Sequence, residues 1–258
     1  MQEKIKIKNK KGLFLSAIVE RPNKEGIFPT VLFLHGFKGY KEEPTYVDLA
    51  KRFLKHGIAS VRFDASGFGD SEGTLENSYR FSNFITDTEV IYEWLLQRDF
   101  IDAEKIGVIG QSMGGAQAIL FASNHPELKI ICAISPPNKI GTNDALGAIK
   151  DEWKNKGYLE KMSSRYGKKI KIPYAYLEDA MQYDFENLVH KITLPLLVVL
   201  GEKDNIVLPS QTEKVFNAGN EPKTLMRFGN MDHFYKKNER VLKEINEEIT
   251  NFVIGYLD

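Results

Sequence analysis

Between residues 105 and 122 the chain reads KIGVIGQSMGGAQAILFA, and this stretch constrains the fold more than any other. Residues 106–109 form a short apolar run of the kind that makes a buried strand. The turn Gly110-Gln111-Ser112-Met113-Gly114 follows, and an apolar, Ala-rich helix follows that. The pattern is G-x-S-x-G set between a strand and a helix. A serine at so sharp a turn sits in a strained backbone conformation, with its hydroxyl pushed out of the sheet. Glycines two residues to either side remove Cβ atoms that would collide with neighbouring backbone. The turn also puts Ser112 at a helix N-terminus, where free N–H groups and the helix dipole favour developing negative charge. The plainer alternative is a Gly-rich connection in an ordinary strand–turn–helix unit. Partners elsewhere in the chain weigh against it.

The rest of the chain repeats the strand–helix alternation. Residues 4–8 and 13–19 read as a β-hairpin, and residues 30–34 as a fully buried strand of a parallel sheet. That strand runs into His35-Gly36-Phe37-Lys38-Gly39. A glycine directly after a strand lets backbone N–H groups face the space above the sheet, where an oxyanion hole would lie. The N–H groups expected there are those of Phe37 and of Met113, the residue after the serine. His35 could equally be a structural hydrogen-bonding residue of a tight turn. A helix over 46–56 ends at Gly57, and residues 58–63 form the next strand. The stretch DASGFGDSEG at 64–73 lacks the Lys-Ser/Thr ending of a phosphate loop and is too weak for a dinucleotide fingerprint. Asp64 reads as a structural turn residue. A long helix is expected over 81–97, strands over 129–134, 194–200 and 224–228, and helices over 210–217 and 238–256.

One segment breaks the alternation. Residues 138–190 are polar, Lys-rich and aromatic-rich, with Trp153, Tyr158, Tyr166, Tyr174, Tyr176 and Tyr183. They are too many for a simple connection. An insertion at the C-terminal end of a parallel strand covers the edge where ligands bind. The expected organisation is a core of 1–137 and 191–258 with an inserted cap of 138–190. The cap aromatics could line a substrate pocket, although for any one of them packing is the more common role.

Bulk properties exclude several classes. Lys plus Arg and Asp plus Glu both total 35, so no nucleic-acid or membrane partner held by bulk charge is expected. The single cysteine, Cys132, lies in an apolar run and excludes an intrachain disulfide or a multi-cysteine metal site. The N-terminal MQEKIKIKNKKG lacks the apolar core of a secretion signal, and no apolar run is long enough to span a bilayer. A cytoplasmic protein is the expectation.

A serine hydroxyl needs a base to remove its proton, and the base needs a partner that fixes its tautomer. In a parallel sheet these groups come from loops beyond strand ends. His56 and His125 end helices, His35 belongs to the turn after the third strand, and His190 ends the insertion. Only His233 follows the last strand in a loop, which makes it the expected base. Asp204 directly follows a buried strand and is the expected acid. Asp232 adjoins the base too closely for a good Nδ1–H contact, and Asp144 and Asp179 in the insertion are alternatives. The order Ser112, Asp204, His233 places each residue just beyond a strand.

With HGF at 35–37, DxSGFGxSxG at 64–73, GQSMGG at 110–115 and DHF at 232–234, the chain resembles the α/β-hydrolases over nearly its full length. Within them it is similar to the bacterial carboxylesterases that include cinnamoyl (feruloyl) esterases. The resemblance implies an α/β fold with a mostly parallel eight-stranded sheet, helices on both faces and a cap after the sixth strand. It implies Ser112 as nucleophile, Asp204 as acid, His233 as base, and Phe37 and Met113 as oxyanion donors. Two features depart from it. Gln111 stands where many relatives have His, and the Lys-rich cap matches no pattern for phenolic-acid recognition.

The expected activity is therefore that of a serine carboxylesterase on small acyl or aryl esters, hydroxycinnamoyl esters among them, with no cofactor and no metal. Acyl-peptidase and thioesterase activities use the same machinery. A non-catalytic binding protein on the same scaffold is the reading from a different class. The expected partner is a small-molecule ester. The last helix or the hairpin edge could serve a homodimer, though neither carries an obvious exposed apolar stripe.

Overall fold

The computed structural model describes residues 1–142 and 145–257. The chain opens with the antiparallel pair β1 (Gln2–Lys8) and β2 (Phe14–Glu20), turned at Gly12. Then β3 (Phe28–Leu34), α1 (Pro44–Lys55), β4 (Ala59–Phe63), α2 (Phe81–Leu95), β5 (Ile101–Gln111), α3 (Met113–Asn124) and β6 (Ile130–Ile134) alternate. After an intervening segment come β9 (Leu196–Gly201), α7 (Pro209–Ala218), β10 (Lys223–Phe228) and α8 (Glu239–Leu257). The segment itself contributes α4 (Lys150–Lys156), the hairpin β7 (Tyr158–Ser163) and β8 (Lys168–Pro173), α5 (Tyr174–Ala180) and α6 (Phe185–Val189).

Eight strands form one sheet in the order β1-β2-β4-β3-β5-β6-β9-β10. The pairings from β4 through β10 are parallel, and only β1 and β2 run antiparallel to their neighbours. Side chains alternate across each strand, so one strand feeds two cores. Leu32 and Leu34 of β3 enter one core, and Val31 and Phe33 enter the other. The first core is covered by α2, α3 and α7, the second by α1 and α8. Local signals agree with this. Pro44 opens α1 at its first position, and Gly57 follows its end with φ of 77°. In α8 the buried residues Val241, Ile245, Ile249 and Val253 recur at a helical spacing that faces the sheet.

The topology fixes where a ligand can sit. After β3 the chain crosses to the α1 face, and after β5 it crosses to the α3 face. The C-terminal ends of these adjacent strands therefore splay apart, which is the switch point where open α/β sheets bind ligands. His35-Gly36-Phe37 and Gln111-Ser112-Met113 lie on its two sides.

The inserted segment follows β6, the sixth strand. Its apolar side chains Trp153, Ile172, Tyr176, Leu177 and Phe185 are continuous with the core on the α2 and α3 face. The Trp153 indole N–H donates to Ile172 O at 3.0 Å, so this buried ring is both packed and satisfied. Among the described residues no helix is long and apolar enough to cross a membrane.

Candidate active site

Ser112 has φ of 57° and ψ of −121°, a conformation that L-residues rarely hold. It is kept there from several directions. Its N–H donates to Ile134 O at 2.7 Å, and its carbonyl accepts from Ala116 N–H at 3.0 Å as α3 begins. The flanking glycines permit the close approach that the turn requires. A Cβ on Gly110 would lie 2.0 Å from Gly114 O, and one on Gly114 would lie 2.0 Å from Leu34 O. Neither backbone oxygen can move away, because both belong to regular elements.

Behind the turn, the buried Tyr46 of α1 donates its hydroxyl to Leu34 O at 2.8 Å and accepts from Gln111 N–H at 3.3 Å. It ties the ends of β3 and β5 together, and burial pushes its pKa well above the ordinary tyrosine value. Its helical position carries no motif, so nothing in the sequence singled it out.

His233 and Asp204 meet at 2.8 Å between Nδ1 and Oδ2, with both residues buried. The other carboxylate oxygen of Asp204 accepts from Ile206 N–H and Val207 N–H, each at 2.9 Å. With its lone pairs held by backbone donors, the carboxylate is fixed in orientation. The two loops are themselves joined, since Lys203 N–H donates to Met231 O at 3.0 Å. A further bond connects them to the serine turn. Gln111 Nε2 donates to His233 O at 3.0 Å, across 122 residues of sequence. In sequence, Gln111 was visible only as a departure from the histidine of many relatives. In the structure it holds the histidine loop against the strand end that carries Ser112.

The other candidate acids and histidines lie elsewhere. Asp232 is exposed and accepts from Phe234 N–H at 2.9 Å. Asp179 on α5 accepts from Ser82 N–H at 2.8 Å, at the start of α2. Asp144 lies outside the described residues. His125 sits between Glu89 and Glu127, and His56 and His190 are exposed. His35 is buried and stacks on Phe84 at 4.5 Å between ring centroids. Its Nε2 accepts from Ala65 N–H at 3.1 Å, so the proton is on Nδ1, facing Gly36 O at 2.9 Å. Burial pushes its pKa down and keeps it neutral. It holds the turn rather than facing a substrate.

That turn leaves one donor over. Lys38 N–H donates to Tyr79 Oη at 2.8 Å and Gly39 N–H to Gly36 O at 2.9 Å. Phe37 N–H has no acceptor among the described residues. Met113 is the first residue of α3, where an N–H has no intrahelical acceptor. Ser112, Met113, Phe37 and His233 all border one cavity of about 670 Å³, a size that suits a small organic ligand.

The inserted segment forms the far wall of this cavity with Ile140, Leu146, Ile149, Lys161, Met162 and Ser164. None of its six singled-out aromatics is in that wall. Trp153 and Tyr176 instead pack beneath, against the Phe37 ring at 6.2 and 5.0 Å, and Tyr176 stacks on Tyr79 at 4.7 Å. The sequence showed which rings the segment has but not which way they face. The hairpin tip is tied down by Arg165, which pairs with Asp70, and by Tyr166, whose hydroxyl donates to Gly69 O at 3.1 Å. Asp70 in turn accepts from the buried Lys41 ammonium at 2.7 Å, which also pairs with Asp64. Asp64 additionally accepts from Lys41 N–H at 2.7 Å and Asp70 N–H at 2.8 Å. It is a structural residue of its loop.

Comparison with known proteins agrees with this architecture. Residues 27–181, more than half of the chain, match the family described as "Serine aminopeptidase, S33" (Hydrolase_4). A thermostable monoacylglycerol lipase of Bacillus sp. (strain H-257) is 26% identical over 217 residues, covering 79% of this chain and 82% of that protein. An uncharacterized 31.7 kDa protein of the traX-finO intergenic region in Escherichia coli is 23% identical over 228 residues, covering 74% of this chain and 77% of that one. Est1E from Butyrivibrio proteoclasticus, solved with ferulic acid bound, superposes with a TM-score of 0.79 at 22% identity, over 98% of this chain and 99% of that one. A strained serine between β5 and α3, with a paired aspartate and histidine beyond β9 and β10, is thus set in a chain that belongs to the serine aminopeptidase S33 family of α/β-hydrolases.

Proposed function

We propose that this hydrolase is a serine carboxylesterase that works through an acyl-enzyme on Ser112. The observation that carries the reading is the Asp204–His233 pair at 2.8 Å, bordering the same cavity as the strained Ser112. An Asp204 carboxylate that accepts from Nδ1–H leaves the Nε2 lone pair of His233 for the serine. In the first step Nε2 takes the Ser112 proton as Oγ attacks the ester carbonyl. The oxyanion is received by the N–H groups of Phe37 and Met113, each worth about 3 kcal/mol of barrier. His233 then gives its proton to the departing alcohol. Water, deprotonated by the same nitrogen, releases the acid and restores Ser112. Residues 138–190 act as a cap that walls one side of this site.

The family description favours a second reading, cleavage of a peptide from its amino end. Such a substrate presents an α-ammonium and calls for a carboxylate to receive it. Glu43 is the one carboxylate among the described residues of the cavity wall, and Lys236 already pairs with it. That weighs toward a neutral or anionic ester, of the general kind that the name of the monoacylglycerol lipase relative implies.

A fluorophosphonate probe tests the proposal, followed by intact mass and peptide mapping. A single adduct on Ser112 that disappears in His233→Ala is the expected result. A folded protein that takes up no probe overturns it in favour of a binding protein on the same scaffold. Comparing kcat/KM for an ester, a thioester and an amide with one shared acyl group then ranks the three chemistries.

A further inference from the structure

Four lysines border the cavity, and they come from three separate parts of the chain. Lys38 follows β3, Lys161 lies on β7 of the inserted hairpin, and Lys236 and Lys237 follow the histidine loop. Glu43 pairs with Lys236. Lys38, Lys161 and Lys237 have no carboxylate partner among the described residues. The chain as a whole carries equal numbers of acidic and basic residues, so this excess is local.

Like charges gathered around one low-dielectric cavity repel one another and attract an anion. The Lys38 ammonium is half-buried and donates to Met162 O at 3.3 Å. Burial first, then the charges of Lys161 and Lys236, push its pKa below the ordinary lysine value. Between the lysines the wall is apolar and open. Met162 is 60% exposed and Phe234 is 44% exposed, both at the cavity. An apolar surface ringed by ammonium groups fits a ligand with an apolar body and a negatively charged end.

We propose that the cavity takes esters bearing an anionic group, a carboxylate or a phosphate, and that Lys38, Lys161 and Lys237 set this preference. The proposal rests on the esterase reading above. The ester carbonyl lies at Ser112 and the anion lies among the ammonium groups. The bond formed and the bond broken are those of ordinary ester hydrolysis.

Two matched substrate pairs test it and tell which half of the ester carries the charge. In one pair the alcohol is shared, and the acyl chain ends either in a carboxylate or in its methyl ester. In the other the acyl group is shared, and the alcohol carries either a phosphate monoester or its dimethyl ester. The expected result at low salt is a preference of about tenfold in kcat/KM for the anionic member of at least one pair, shrinking as KCl is added. The ratio should fall toward one in Lys161→Met/Lys237→Met and invert in Lys161→Glu/Lys237→Glu. In Lys6→Met, an exposed lysine on β1, it should stay as in the parent. Equal turnover within both pairs, or a preference that the Lys161 and Lys237 variants leave in place, overturns the proposal. If neither pair is hydrolysed and the fluorophosphonate fails to label Ser112, the esterase reading falls and takes this proposal with it. If the probe labels Ser112 while charge makes no difference, only the anion preference falls.

Discussion

The floor and the far wall of the cavity are built by different physics. The floor is backbone. Ser112 stands where β5 turns into α3, and its place follows from one strained residue, two glycines and a strand register shared with β3 and β6. The wall is side chains. The hairpin of β7 and β8 reaches the core through Arg165 to Asp70, 95 residues apart, and through Tyr166 to Gly69, 97 residues apart. The floor has no second arrangement available without breaking the sheet. The tip of the hairpin is held by the partly exposed contacts of Arg165 and Tyr166, while Ile170 and Ile172 of β8 anchor its base in the core. The serine turn and the hairpin tip are therefore held at different stiffness, and substitutions should separate the two.

The largest effect is expected on the floor. Ser112→Ala should lower kcat/KM by about 10⁵- to 10⁶-fold with the fold intact, as read by turnover and by circular dichroism. Activity near that of the parent would remove Ser112 from the chemistry. Asp64→Asn comes next and should act on stability. The Lys41 ammonium is buried beside it, and breaking one side of a buried pair costs about 3 kcal/mol or more. Denaturant midpoints would show this, with kcat/KM of the folded fraction changed much less. A large loss of kcat with unchanged stability would instead make Asp64 part of the chemistry.

Gln111→Leu sits between floor and loop. Losing the 3.0 Å bond to His233 O lets that loop drift, and under the proposed mechanism a small displacement of His233 lowers kcat roughly tenfold. KM should change little, and Gln111→His should recover part of the loss. A fall in stability alone would show that the bond only packs the loop. On the wall, Arg165→Ala should cost less than about 1 kcal/mol overall, because the pair is partly exposed. Hydrogen exchange should nonetheless quicken across residues 158–173 and stay slow in β5. Equal quickening in both would mean that wall and floor open as one unit.

The smallest effect belongs to His125, far from the cavity. Burial alone would lower its pKa, but its hydrogen bonds to Glu89 and Glu127 prevail and raise it above the ordinary value of 6.5. A raised folded-state pKa contributes stability that is present in full below the unfolded value and is lost as pH rises through the folded one. The melting temperatures of the parent and His125→Gln should therefore differ most near pH 5.5 and converge toward pH 8.5. A gap that widens with pH would reverse the assignment.

Much of the floor was legible in the residues. The strand before Ser112, the helix after it and the glycines around it are local features, readable because neighbours in sequence are neighbours in space. Asp204 and His233 could be singled out by position, each just beyond a strand. The role of Gln111 could not, because its partner lies 122 residues away. The aromatics of 138–190 were legible as a set, but Trp153 and Tyr176 turned inward onto Phe37 and left the wall to aliphatic and lysine side chains. Composition carries no information on which face of a short helix or hairpin meets the core.

The sequence by itself determined the alternation of strands and helices and the strained serine turn. Each of these depends on spacing within about a dozen residues. Only the tertiary structure decided that Gln111 holds the His233 loop, that Lys41 links Asp64 to the hairpin through Asp70, and that four lysines converge on one cavity. Those arrangements join side chains distant in sequence. They exist only once the sheet order has brought the ends of β3, β5, β9 and β10 to the same edge.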